Sequence, residues 1–215
     1  MPRAPRIENP KLPADLGEED PATLLPDAVI EQARFADVDL TERSLAGLTL
    51  SECALSSVGL DGAELTGARV FDCRLDNLQV PRLQMPRGFL RSVHIRNSRL
   101  GALDLFETKI RSLVIEDAKL GLVNFRGSDV RDVIFRGCII EDLDLTEASV
   151  TRMAFDDSSI AALDLYQARL TDVDFRNLEI GTIRHLDGMR GATISSNQAV
   201  GLVGHFAAHL GVSVD

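Results

Sequence analysis

Tryptophan is absent from the 215 residues, tyrosine occurs once and cysteine only three times. Cys53 and Cys73, twenty residues apart, could come near disulfide distance, but a cytosolic setting favours reduced thiols. No apolar run approaches the ~18 residues of a membrane-spanning helix, and the stretch from Met1 to Asn9 lacks the apolar core of a signal peptide. The expectation is a soluble, cytoplasmic protein with no membrane partner. Basic residues are in the minority, 23 Lys and Arg against 33 Asp and Glu, for a net charge of −10. Nucleic acids and anionic membranes select Lys and Arg, so the balance argues against direct nucleic-acid binding and for a partner with a basic surface.

Catalytic chemistry is missing too. Cys53, Cys73 and Cys138 occupy inward positions of the pattern described below, where Cys acts as a small hydrophobe. His205 and His209 have the four-residue spacing of a helical metal pair but no intervening Glu and no third ligand. His94 and His185 stand alone, and there is no phosphate-binding glycine loop. The sequence predicts neither an enzyme nor a cofactor or metal site.

What is present is a beat of five. Every fifth residue from Ile30 to Ile180 is apolar, without a miss. Two residues before each lies a second small or apolar position, such as Ala33, Val38, Leu48, Cys53, Val58 and Ala63. Polar residues and Gly mostly fill the other three places. A period of five fits neither the 3.6 of a helix nor the 2.0 of a long strand. It fits a short extended segment followed by a turn, with two inward side chains per unit, stacked into a solenoid.

Units such as Ala63-Glu64-Leu65-Thr66-Gly67, Val123-Asn124-Phe125-Arg126-Gly127 and Ala148-Ser149-Val150-Thr151-Arg152 resemble those of the pentapeptide-repeat family. The resemblance covers residues 33–182. It implies an all-β fold, a right-handed quadrilateral parallel β-helix with four units per coil, and a short C-terminal capping helix. The expected organisation is an extended arm over 1–22, a β-helix over 23–182 and a C-terminal cap over 183–215.

The inward position two before the centre alternates between large and small every ten residues, and the phase of this alternation shifts by five after Leu78. One extra pentad would account for the shift, and the prolines Pro81 and Pro86 lie there. An irregular coil or bulged loop is therefore expected near 79–87, with a proline-tolerant regular turn as the competing reading. With that pentad set aside, Asp39, Glu42, Asp61, Asp104, Glu107, Asp144, Glu147 and Asp164 fall on one face as a candidate partner-binding row. The next face carries Arg91, Lys109, Arg111, Arg131, Arg152 and Arg169 and is weakly positive. A third stacks Arg96, Glu116, Arg136, Asp156 and Arg176 in alternating sign, beside a modest apolar strip of Val114, Ile134 and Ala154.

At the C-terminus Ser195 and Gln198 fit a capping box, and Ala199, Leu202, Val203, Phe206 and Leu210 follow helical spacing over about 196–210, with Gly211 to end the helix. These five residues are candidates for covering the last coil and for pairing two subunits. The resemblance to quinolone-resistance members implies an end-to-end homodimer, while capping without dimerisation stays open. Arg43 is the one charged residue at an inward position, so it must snorkel outward or pair with the arm. The leading functional expectation is a non-enzymatic module that offers an acidic face to a basic protein. The resemblance adds an alternative, a DNA mimic acting on DNA gyrase or another type II topoisomerase and giving fluoroquinolone protection.

Overall fold

The structure, a computed structural model, describes residues 1–213. Its strands pair in parallel at steps of twenty residues: Thr49 lies on Arg69, Arg69 on Phe89, Lys109 on Asp129 and Ser149 on Arg169. The product is a parallel β-solenoid of about nine turns with two short helices at its C-terminal end. Each turn holds four pentads. The first face is centred on Leu50, Val70, Leu90 and Ile110, and the second on Leu55, Leu75, Ile95 and Ile115. The third is centred on Leu60, Val80, Leu100 and Leu120, and the fourth on Leu65, Met85, Leu105 and Phe125; all of these centres are buried. An extended triplet points its side chains in, out and in, which puts two residues per unit in the core and leaves two for the corner.

The segment around Pro81 and Pro86 overturns the expected insertion. Gln79–Gln84 is a strand in regular register, with Gln79 on Arg99 and Leu83 on Leu103. On its other side the Leu65 N–H donates to Gln84 O (3.3 Å) and the Gly67 N–H to Pro86 O (2.9 Å). Both prolines fit for local reasons. Pro81 falls between the ladder pairs Val80–Leu100 and Arg82–Ala102, in a column that skips pairing in the following turns as well, so its missing N–H removes no ladder bond. Pro86 begins a corner whose next residue, Arg87, has φ 56°. That is the slot that proline's fixed φ favours in a type II turn.

The size alternation records a change of corner, at constant register. Up to Gly67 the solenoid strands are three or four residues long, and the residue ending each unit, such as Glu42, Glu52, Ser57, Gly62 and Gly67, has positive φ. From Arg69 to Asp164, eight-residue strands run from the first face into the second, and strands of six or seven run from the third into the fourth; the last turn breaks the former into Arg169–Thr171 and Val173–Asp174. In the column of Glu42 and Gly62, the later residues Arg82, Ala102, Leu122, Asp142 and Ala162 are not left-handed.

The large inward side chains change sides one turn after this switch, past Leu78. On entry to the second face, Ala33, Cys53 and Cys73 give way to Val93, Leu113, Val133 and Met153. On entry to the third, Val38, Val58 and Leu78 give way to Ser98, Ala118, Cys138 and Ser158. Small residues thus sit where the long strands break, and their hydroxyls satisfy the backbone there. Ser128 Oγ donates to Leu105 O (2.7 Å) and accepts the Thr108 N–H (3.0 Å), and Ser98 Oγ donates to Arg96 O and accepts the Leu78 N–H.

The core differs along the rod in the same sense. Phe135, Phe155 and Phe175 stack with ring centroids 5.1 and 5.7 Å apart. The early turns are centred on Leu and leave a cavity of about 20 Å³ among Leu40, Leu50, Leu60, Leu65 and Met85. An apolar void of that size has no polar partner for a water and stays dry.

Both ends of the rod are closed by a side chain that donates twice. Arg43 reaches out to the entering chain, where Nη1 donates to Pro21 O (3.0 Å) and Nη2 to Leu24 O (2.9 Å). Gln198 Nε2 donates to Phe175 O (2.5 Å) and Leu178 O (2.7 Å) on the last turn, while Gln198 also completes the capping box with Ser195. The single helix expected over about 196–210 is two, α1 (Ser196–Gly201) and α2 (Val203–Leu210), and Gly211 ends α2 at φ 71°. At the other end Gly17–Glu18 adds a short strand to Ala33–Arg34, and the residues before it run along the outside of several turns.

Candidate functional site

The continuous register divides the eight candidate carboxylates between two faces. Asp39, Glu42 and Asp61 lie on the third face in the early turns, and Asp104, Glu107, Asp144, Glu147 and Asp164 on the fourth face in the later ones. Asp104, Asn124, Asp144 and Asp164 stack in one paired column, and Asn124 Nδ2 donates to Asp104 Oδ1 (2.8 Å). Each also spends an oxygen on its own corner. The N–H of Thr41 donates to Asp39, of Phe106 to Asp104, of Thr146 to Asp144 and of Tyr166 to Asp164, at 2.9 to 3.2 Å. The Asp before a centre is therefore first a turn-forming residue.

Electrostatics point the same way. Hydrogen bonds from Thr41 hold the Asp39 carboxyl below the usual range. Partial burial alone would raise Asp164, but the Tyr166 N–H, His185 and Arg184 outweigh it and hold the carboxyl low. Glu107 and Glu147 differ in kind. Both occupy left-handed corner positions, φ 52° and 58°, and both are exposed, with only a 3.9 Å approach from Arg87 to Glu107. They stand forty residues apart, two turns, which is ~9.6 Å along the rod.

The first face carries Arg91, Arg111 and Arg131 stacked in register. Asp129 partners Arg111 (2.5 Å) and Arg131 (3.4 Å), and Arg91 lies over the Phe71 ring. On the second face Arg96 pairs with Asp76 and Arg136 with Asp156, while Arg176 turns to its own neighbour Asp174. Exposed pairs of this kind contribute roughly 0 to 1 kcal/mol each. Cys53, Cys73 and Cys138 are free thiols in the core. Burial pushes Cys138 up to about 11, and its hydrogen bond with Cys53 together with burial pushes Cys73 up. The hydrogen bond between Cys53 and Cys73 lowers Cys53 to about 7, but all three sulfurs are buried in the core, away from any substrate. His209 faces Asp187 at 3.2 Å and His185 faces Asp164 at 2.8 Å.

Of the five C-terminal candidates, Leu202 is buried and Phe206 packs on the core, while Val203 and Leu210 are exposed and Ala199 is half-buried.

The pentapeptide-repeats family model matches eight copies over residues 33–70. Those residues are pentapeptide repeats. They are the stretch in which sharp corners follow one another unit by unit, and the match ends where the long strands begin. No curated protein matches the sequence. Among solved structures, a trypsin-treated variant of QnrB1, a plasmid-mediated fluoroquinolone resistance protein, is similar at 14% identity over 85% of this chain and 98% of the other, with a TM-score of 0.31. A second trypsin-treated variant gives 13% identity, 87% and 98% coverage and a TM-score of 0.35, and full-length QnrB1 gives 15%, 81% and 99%, and 0.30. No helix among the described residues is long and apolar enough to cross a membrane.

Proposed function

We propose that the chain is a non-enzymatic, cytoplasmic interaction module whose fourth face meets a basic protein surface. The observation that carries this reading is the placing of Glu107 and Glu147 as solvent-facing corner tips above the stacked column of Asp104, Asp144 and Asp164. The column carboxylates hold the corners, and the glutamates are the solvent-facing charges, Glu147 with no cation in reach among the described residues and Glu107 3.9 Å from Arg87. The decisive variant is therefore Glu107→Lys with Glu147→Lys, which leaves the turn bonds of Asp104 and Asp144 in place.

DNA gyrase is the first partner to test, on the resemblance of the repeat units. A supercoiling assay with and without a fluoroquinolone should show inhibition or protection by the wild-type chain and neither by the double variant. If the wild type has no effect and does not bind at tens of micromolar, the topoisomerase reading falls. Equal binding by wild type and double variant to any basic partner rejects the fourth face. As a charge copy of DNA the rod is poor. Duplex DNA presents one charge per ~1.7 Å, whereas the fourth face offers two free carboxylates across two turns, with Arg87 and Arg126 beside them.

A second reading concerns the C-terminal end. Val200, Val203 and Leu210 are 74%, 46% and 73% exposed on the outer side of α1 and α2, an apolar group that favours a homodimer through the cap. Light scattering across a wide concentration range tests it. Val203→Glu with Leu210→Glu should yield a monomer at all concentrations, and a wild type that is already monomeric throughout ends the reading.

A further inference from the structure

Val114 and Ile134 point outward from the second face, yet they are only 1% and 8% exposed. The N-terminal arm is bonded to the corner that leads into their face. Four of its backbone N–H groups donate to side chains of a single corner column: Arg3 to Asp172 (3.2 Å), Arg6 to Asp132 (2.7 Å), Glu8 to Ser112 (2.8 Å) and Lys11 to Asp72 (3.2 Å). Ser112 Oγ donates back to Glu8 O (3.1 Å). Each donor follows a half-buried residue, namely Pro2, Pro5, Ile7 or Pro10.

The spacing is a match of two repeats. From residue 3 to residue 11 a polyproline II segment advances ~25 Å at ~3.1 Å per residue. The five turns between Asp172 and Asp72 measure ~24 Å at ~4.8 Å per turn. A three-residue polyproline turn thus spans two coils, which is why Arg3 and Arg6 meet Asp172 and Asp132. Recognition is through backbone N–H groups, with a proline or aliphatic residue set against the rod before each donor. The column also holds Arg152, which pairs with Asp132 as Arg91 does with Asp72, so its carboxylates keep their own cations and take the arm through its amides. None of this depends on the arm's covalent attachment.

We propose that this column, with the Val114 and Ile134 strip, is a binding site for an extended, proline-punctuated peptide read through its backbone amides, and that residues 2–11 are its resident and exchangeable occupant.

The test uses two full-length chains, the wild type and a variant with Pro2, Pro5 and Pro10 changed to Gly, and a fluorescent peptide of residues 1–13. A tethered arm competes at an effective concentration in the millimolar range, so the peptide should bind the variant at least ~10-fold more tightly than the wild type. Adding Ser112→Ala and Asp132→Ala to the variant should abolish binding, with the thermal melt of the solenoid showing that the rod persists. Equal affinity for the two chains overturns the proposal. So does absence of binding to a variant whose amides at 3, 6, 8 and 11 exchange freely. Slow exchange at those amides in the variant also overturns it, because the prolines would then not be what seats the arm.

Discussion

Before Gly67 the rod turns sharply at four corners in every twenty residues, on strands of three or four residues with Leu centres around a narrow void. After Arg69 the same twenty residues are spent on an eight-residue and a six-residue strand, with Ile and Phe at many of the centres. Register is identical in the two sections. What changes is which inward positions are small. At the corner between the third and fourth faces the left-handed Gly62 precedes the small Ala63, whereas Arg82 and Ala102, which are not left-handed, precede Leu83 and Leu103; the corners into the second face stay left-handed before Cys53, Val93 and Leu113 alike. At that one corner, geometry changes together with the volume of the inward side chain, within a fixed repeat.

The largest expected effect tests the difference in packing. Phe155→Ala removes the middle ring of the Phe135–Phe155–Phe175 stack and should cost about 3 to 5 kcal/mol in urea unfolding. Leu55→Ala, on the same face in the early section, should cost nearer 2 kcal/mol, because Leu55 borders the cavity and gives up fewer contacts. Equal costs would mean that the two sections are packed alike.

The ends come next. Arg43→Ala leaves Pro21 O and Leu24 O without their charged donor, and Gln198→Ala removes both the second capping-box bond and the bonds to Phe175 O and Leu178 O. Each should cost about 1 to 3 kcal/mol. Hydrogen exchange should locate the losses at opposite ends, residues 17–31 for Arg43→Ala and residues 183–213 for Gln198→Ala. Uniform loosening along the rod would show that the caps act on a single cooperative unit.

A smaller effect isolates the corner itself. Gly62 (φ 65°) and Ala102 occupy the same column, one left-handed and one not. A Cβ at Gly62 meets nothing nearer than Glu42 Cγ at 3.4 Å, so space is not the constraint. Gly62→Val should cost about 1 to 2 kcal/mol through backbone strain alone, and Ala102→Val nearly nothing. A comparable cost at both sites would refute the change of corner.

Much of the fold was legible because the beat of five reports only which side chains point inward, and that survives any change of corner. The capping box at Ser195 and Gln198 and the stop at Gly211 were legible because they are local. The phase shift at Leu78 was misread as an insertion. Volume at Ser98 or Val93 records whether the strand ladder runs through that position or is interrupted by a side-chain bond, and Pro81 sits in a column that makes no ladder bonds, so neither speaks to register. That error placed Asp39 and Asp104 on one face. It also separated Asp72 from the column of Ser92, Ser112, Asp132, Arg152 and Asp172, and without its full length the spacing of Pro2, Pro5 and Pro10 had nothing to match.

The smallest expected effect separates the sections by pH. His94 lies in the outward column that carries Arg34, Ala54 and Arg74 in the earlier turns and Val114 and Ile134 in the later ones. Its Nε2 is buried without a hydrogen-bond partner. Desolvation pushes its pKa below the usual 6.5, helped by Arg96 and Arg136 and opposed by Glu116 and Asp76. The folded chain thus holds off a proton that the unfolded chain accepts. The stability this contributes is complete above about 6.5 and is lost as pH falls from there towards the folded value. Between pH 7 and pH 5, amides around Val93 and Leu113 should lose protection while those around Leu50 and Leu55 keep it, after correction for intrinsic exchange. His94→Gln should flatten that slope. The carboxylates held low respond only further down, and four of the five, Asp129, Asp132, Asp164 and Asp174, also lie after Arg69. Their contribution is present above the ordinary carboxylate range and is lost as pH falls through the folded values. Acid should therefore open the later section in two steps and the early section in at most one. Simultaneous loss of protection in both sections near pH 6 would show that the rod unfolds as one body whatever the local geometry of its corners.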